Sequence, residues 1–138
     1  MQKAYASFFP KNPLDHDSAW SKIVNHAQYM RLMKLILSTK GTVLAGGSGD
    51  HKCRIAPTIV GDVKLDDPLM EECVYLIFIT LELLLNQPNR EIFGPILPIV
   101  EVEDIDDAIS VVADRHSPLA LYVFSNDEVV KQKCMCTT

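Results

Sequence analysis

ILPIVEVEDIDDAISVVADRHSPLALYVFSNDEVVKQK, residues 96–133, alternates two textures. ILPIVEV at 96–102 is short, apolar and rich in β-branched residues, which is the pattern of a strand. Ile105, Ala108, Ile109, Val112 and Ala113 then recur at three- and four-residue steps and so share one face of a helix. Asp104, Asp106 and Asp107 suit the positive N-terminal end of that helix, and Arg115 suits its C-terminal end. Ser117 and Pro118 stop it. LALYVF at 119–124 is almost wholly apolar, as expected of a strand covered on both faces, and SNDEVVKQK at 125–133 opens another helix. Strand, helix, strand, helix predicts an α/β fold: a parallel sheet with crossover helices.

Upstream the signals are shorter. Ile23, Ala27, Met30, Met33 and Leu37 recur at helical steps and place a helix over residues 18–37, capped by Asp17 or Ser18. After Lys40 and Gly41, TVLAGG and RIAPTIVGDV are β-branched runs bounded by glycine and proline, in the manner of strands or extended connections. No internal repeat occurs at any period of 20 to 50 residues.

The chain has 138 residues, enough for a single core, and its 48% hydrophobic and 22% charged residues are those of an ordinary globular protein. A formal net charge of -5 and a pI near 5.2, without a lysine or arginine cluster, argue against nucleic acid as a partner. MQKAYASFFPKNP at the start lacks the apolar run of a secretory signal. Cys53, Cys73, Cys134 and Cys136 are therefore expected as reduced thiols in a cytoplasmic protein. The most apolar run, CVYLIFITLELLL at 73–85, would reach only ~20 Å as a helix, too short to span a hydrocarbon core of ~30 Å. A buried strand or core helix is the expected alternative.

Candidate chemistry is sparse when read from residue types alone. AGGSGD at 45–50 offers bare backbone amides, but it completes neither the dinucleotide fingerprint nor a Gly-Lys-Ser/Thr loop, so an ordinary turn is expected. Cys134 and Cys136 lack a second ligand pair, and His16, His26, His51 and His116 are not at ligand spacing; no metal site is expected, and the C-terminus is expected to fray. None of the four cysteines has a recognisable partner base, so no catalytic nucleophile is assigned. Glu71 and Glu72 are expected to be solvated rather than a working dyad.

Joined across residues 73–90, the chain runs PLMEE-EIFGPILPIV, which resembles the M-x-E-E-I-F-G-P-x-L-P signature of the aldehyde dehydrogenases. FFPKNP, SKIVNHAQYMRLMKLI, RIAPTIVGDV and SPLALYVFSND also fall in the family's order and spacing and are similar to its class 3 branch, which includes the fatty and aromatic aldehyde dehydrogenases. The resemblance implies part of a catalytic domain. Its reaction is NAD- or NADP-dependent oxidation of medium- or long-chain or aromatic aldehydes to acids: a cysteine thiolate attacks the aldehyde, hydride passes to the nicotinamide, and water releases the acid. By motif, Glu91 matches the glutamate that accepts hydrogen bonds from the nicotinamide-ribose hydroxyls, and Phe93 matches the aromatic residue beside the nicotinamide. Gly94 and Pro95 shape the turn that leaves this site. A homodimer is the expected assembly.

Other parts of the family pattern are not met. The nucleophilic cysteine, the oxyanion asparagine, the general base and the main dinucleotide-binding segment belong to family regions N-terminal to these residues. CMCTT at 134–138 stands where a Ser-Gly-Gly segment and a contact arm would continue. The eighteen residues CVYLIFITLELLLNQPNR, 73–90, separate two glutamates that the family places side by side. The chain is therefore expected to be inactive alone. The alternatives are a non-catalytic fragment that docks on a full-length subunit, or a truncated or mispredicted product without function.

Overall fold

The structure is a computed structural model, and it describes residues 2–9, 12–15, 20–71, 92–115 and 120–137. The chain divides into two compact units. The first is Met1–Glu71 with Ile92–Val100, and the described part of the second falls within Glu101–Thr138. The segment 73–90, Glu91 and the expected helix stop at 117–118 lie outside the described residues.

The first unit is built on a three-stranded mixed sheet, β1 (Thr42–Ala45), β2 (Thr58–Gly61) and β3 (Ile96–Pro98), in the order β1-β2-β3. β2 and β3 run parallel, pairing Thr58 with Ile96 and Val60 with Pro98. β1 runs antiparallel to β2, with an irregularity between Val43 and Ala45. The α/β class and a parallel ladder are therefore present, but the sheet is mixed, because TVLAGG and RIAPTIVGDV pair as an antiparallel loop-connected unit. The expected strand at 96–102 is shorter. Beyond Pro98 the ladder survives as single bonds: Ile99 N–H donates to Val60 O (2.8 Å) and Val63 N–H to Ile99 O (3.1 Å).

Backbone geometry explains the glycines of the β1–β2 connection. Gly46 has φ 75°, and a Cβ there would lie 2.0 Å from Pro57 O, so both conformation and space require glycine. The tip is closed by Asp50, whose carboxylate accepts the Lys52 and Arg54 N–H groups (both 2.9 Å) and Arg54 Nε (2.8 Å). Buried Arg54 also donates to Leu14 O (2.5 Å) and Asp15 O (3.2 Å), which ties the 12–15 turn to the connection. Residues 45–50 are thus a structural turn.

Helix α2 (His26–Ser38) starts later than the periodicity predicts. Asn25, not Asp17 or Ser18, is its cap: the Asn25 side chain accepts Gln28 N–H at 2.9 Å, and Asn25 with Gln28 three residues on is a capping-box spacing. Ile23 is outside the helix, with its N–H on Cys53 O (2.8 Å). The buried stripe also differs. Leu32, Leu35 and Ile36 face the core, whereas Met30 and Leu37, expected on the inner face, are exposed. LMKLIL carries apolar residues on most sides of the helix, and the sheet selects the stripe.

Leu32, Ile55, Val60, Val63 and Leu69 form the centre of this core and are at most 1% exposed. Asp67 is buried beside them and caps the short helix α3 (Pro68–Glu71). Its carboxylate accepts Leu69 N–H (2.9 Å), Lys40 N–H (2.7 Å) and Thr39 Oγ1–H (2.9 Å), so the exit of α2 and the entry of α3 share one anion. Helix α1 (Gln2–Phe8) joins through aromatic contacts: the Tyr5 and Phe9 rings meet tilted by 49° at 5.1 Å, and Phe9 meets Trp20 edge-on at 5.6 Å.

The second unit contains α4 (Ile105–Ala113) and α5 (Glu128–Thr137). Asp104 caps α4 by accepting Asp107 N–H at 2.9 Å, and Ile105, Ala108, Ile109 and Val112 turn to its inner side. Ala113, expected on that face, is exposed. Residues 120–125 form no strand: Tyr122 and Phe124 stand largely in solvent, and no ladder pairs this segment among the described residues. α5 does start where expected, with Asp127 Oδ1 accepting Val129 N–H (2.8 Å). It continues through Thr137, so the CMCTT tail does not fray from Lys133; Cys134 is buried.

Candidate functional site

The signature segment makes a tight bend between Ile92 and Ile96, held by one internal bond and by bonds from α2 and β2. Ile92 is buried, and its carbonyl accepts Arg31 Nη2–H from α2 at 2.8 Å. Phe93 follows with φ 41°, a left-handed conformation that is unusual for a bulky residue, and its ring is 80% exposed. Gly94 packs on α2 so closely that a Cβ would lie 2.7 Å from Leu32 Cδ1. Gly94 O accepts Ile96 N–H (2.8 Å), Pro95 O accepts Thr58 N–H (2.7 Å), and the chain then enters β3. Gly94 and Pro95 shape the turn as expected.

A hydrophobic cavity of about 530 Å³ lies beside the bend, lined by Tyr5, Phe9, Trp20, Ile59, Pro95 and Leu97 among others. Trp20 Nε1–H donates to Ile55 O at 2.6 Å, which fixes one wall. Burial pushes the Tyr5 phenol above its ordinary value. The Phe93 ring does not line this cavity; it projects from the bend into solvent.

Two carboxylates are held as anions away from the bend. Burial pushes Asp67 up, but the donors from Leu69, Lys40, Thr39 and Gly41 outweigh it and hold the carboxyl below its ordinary range. Desolvation also pushes Asp50 up, and the Arg54 backbone and guanidinium with Lys52 N–H again reverse the sign. Both therefore act as structural acceptors. Cys53 and Cys134 are in no disulfide, and Cys134 lines an apolar cavity of about 230 Å³ together with Ile105, Ile109, Val112 and Leu121. Glu91 lies outside the described residues, and so do Glu72 and Cys73. The group missed from the sequence is Arg31: on composition it is one more charged helix residue, and no local pattern ties it to a carbonyl 61 positions away.

The profile described as "Aldehyde dehydrogenase family" matches residues 76–136. Similarity to curated class 3 proteins extends further. The chain is 36% identical over its whole length to a mouse "Aldehyde dehydrogenase, dimeric NADP-preferring", and 35% identical over its whole length to human "Aldehyde dehydrogenase family 3 member B1". The chain belongs to the aldehyde dehydrogenase family. It covers 26% and 25% of those two relatives, so it spans about a quarter of their length. Among solved structures, a substrate-bound state of Staphylococcus aureus AldH superposes with a TM-score of 0.78 at 32% identity, over 98% of this chain and 26% of that one. The aldehyde dehydrogenase fold accounts for the small sheet flanked by helices. No helix among the described residues is long and apolar enough to cross a membrane.

Proposed function

We propose that this chain supplies one wall of the nicotinamide site in an enzyme that oxidises medium- or long-chain or aromatic aldehydes to carboxylic acids with NAD or NADP. The observation that carries the reading is Phe93: a large apolar ring, 80% exposed, on a bend anchored to a helix and a strand. Leaving such a ring in water forfeits the burial free energy of an aromatic side chain, and a planar partner would recover it. The residues fit a nicotinamide ring in that respect. When bound, the cofactor supplies the hydride acceptor.

Phe93 then acts by packing, restricting the ring plane, and by shielding one side from water. Glu91 is proposed to accept two hydrogen bonds from the vicinal ribose hydroxyls, a geometry suited to the two oxygens of a carboxylate. Both groups orient, and orientation is what hydride transfer depends on. No described residue of this chain is assigned the nucleophile's role. A cytoplasmic, reducing setting and a homodimer complete the proposal; the word "dimeric" in the mouse relative's name supports the second.

The test is NMR of the full chain with millimolar NAD+ or NADP+. Contacts between nicotinamide protons and the Phe93 ring are expected, and Phe93→Ala should abolish the remaining nicotinamide line broadening. Absence of any nicotinamide contact with either cofactor would sink the reading. An assay with a fatty aldehyde should show no turnover by the chain alone; turnover that disappears on substituting one of the four cysteines would show that the catalytic thiol is here after all.

A second reading is favoured by the exposure of Leu121, Tyr122 and Phe124: a non-catalytic fragment that docks on a complete subunit through this apolar run. Co-purification with a full-length subunit, lost when Tyr122 and Phe124 are both replaced by Ser, separates it from the first. We also propose that residues 73–90 interrupt an otherwise continuous family segment, as a retained intron or a wrong gene boundary would. A transcript that reads from Glu72 directly to Glu91 is the expected result, and a message that retains the eighteen residues refutes it.

A further inference from the structure

We infer that Arg31 is a positioning residue for the Phe93 ring. This rests on the proposed role of Phe93 and extends it to the element that sets the ring's direction. The φ of Phe93 and the direction of the Ile92 carbonyl are not independent, because both turn with the same peptide plane between residues 92 and 93. Returning Phe93 to the ordinary negative φ region swings Ile92 O away from α2. Arg31 Nη2 holds that oxygen at 2.8 Å, and so holds Phe93 at φ 41°.

The guanidinium is itself fixed. Arg31 Nε donates to Gln28 Oε1 at 2.7 Å, one helical turn back, so a second edge of the fork is already engaged when Nη2 meets Ile92. A planar fork with two fixed edges defines a direction, which a lysine ammonium does less well. On the far side of Phe93 the backbone is held by other means, through Gly94 against Leu32 and Pro95 O on Thr58 N–H. The ring thus sits between two clamps, and Arg31 governs the one that sets its φ. The chemical class of the partner is unchanged: a planar, electron-poor heteroaromatic ring of a dinucleotide.

The experiment is NMR of the full chain as wild type, Arg31→Met, Arg31→Lys and Gln28→Leu. Three readouts come from the same samples: the intraresidue amide-to-Cα-proton NOE of Phe93, which is intense at positive φ; hydrogen-exchange protection of the Thr58 amide; and nicotinamide contacts to the Phe93 ring with NAD+ as probe. In Arg31→Met the ratio of left-handed to ordinary Phe93 should fall about 5- to 30-fold, the scale set by the strain of a left-handed non-glycine residue. Thr58 should stay protected, and the nicotinamide contact should weaken with the conformer. Arg31→Lys, which keeps one donor, should restore part of both, and Gln28→Leu should give a smaller loss than Arg31→Met.

An unchanged Phe93 conformer in Arg31→Met overturns the inference, as does joint loss of Thr58 protection in Arg31→Met and Arg31→Lys, which would mark a merely structural role. If Arg31→Met does not fold, an unchanged conformer in both Arg31→Lys and Gln28→Leu overturns it equally. A wild type that shows no nicotinamide contact while Arg31→Met still shifts Phe93 refutes the cofactor reading and supports Arg31 as the group that aims the ring.

Discussion

Around β2 the chain buries five aliphatic side chains almost completely, and it sets one carboxylate, Asp67, among them; in the second unit Cys134 is the only buried residue among those described, at 7% exposure. Both regions carry amphipathic helices of regular period. What separates them is the second layer. α2 lies in a unit with a three-stranded sheet, whereas the apolar side of α4 meets residues 121–124, which form no strand, and one turn of α5. Period selects which residues can be buried, and only a packed partner layer buries them.

The sharpest break of this contrast is a pair of truncations. Leu69→Ala in the first unit should cost about 3–5 kcal/mol, the range for a fully buried leucine, and Ile109→Ala in α4 only about 1 kcal/mol. Native-state hydrogen exchange reads each region separately, which matters because two units need not unfold together. Equal losses of protection would erase the distinction. Next in size is Gly46→Ala, expected to cost about 2–4 kcal/mol although Gly46 is exposed: the new Cβ meets Pro57 O at 2.0 Å in a left-handed residue. Gly47→Ala, also left-handed but 3.1 Å from its nearest neighbour, should cost about 1 kcal/mol by the same measurement. If the two match, close approach is not what Gly46 serves.

Asp67 adds a pH axis that sharpens the same contrast. Its folded carboxyl is held below the ordinary value, so its contribution is present above the unfolded carboxylate pKa, near ~3.9, and is lost as pH falls toward the lower folded value. Protection in β2 should therefore decline below about pH 4. Asp67→Asn should cost about 1–3 kcal/mol at neutral pH and flatten that part of the profile. An Asn variant with the wild-type acid profile would assign the pH effect to another group.

The elements legible in the sequence are those whose signals are local. α4 forms over its periodic residues with Asp104 at its cap, and α5 opens at the expected acids, because caps and periods act within a few residues. The three short strands lie inside the β-branched runs. What misled is equally specific. LALYVF has strand composition, but a strand exists only with a ladder partner, and residues 120–124 pair with no described strand. On α2 two apolar stripes compete, and Gly94, far along the chain, admits Leu32 rather than Met30. At the site the EIFGP motif named Phe93 through family likeness; the positive φ and the Arg31 anchor depend on tertiary contacts that no local pattern encodes.

The smallest expected effect concerns Phe93, where burial and strain can be separated. The ring is largely exposed, so removing it forfeits little buried area, and Phe93→Ala should change stability by less than about 0.5 kcal/mol. Alanine keeps the strain of φ 41°; glycine releases it, at the expense of a more flexible unfolded chain. Those terms oppose each other, and left-handed strain of about 1–2 kcal/mol is the larger. Phe93→Gly should therefore be more stable than Phe93→Ala by about 0.5–1 kcal/mol, read from Thr58 protection at the adjoining β2–β3 ladder. Equal stability of the two variants would mean that the bend relaxes once the ring is gone, so that the ring and its partner, rather than the Arg31 clamp, hold the conformation.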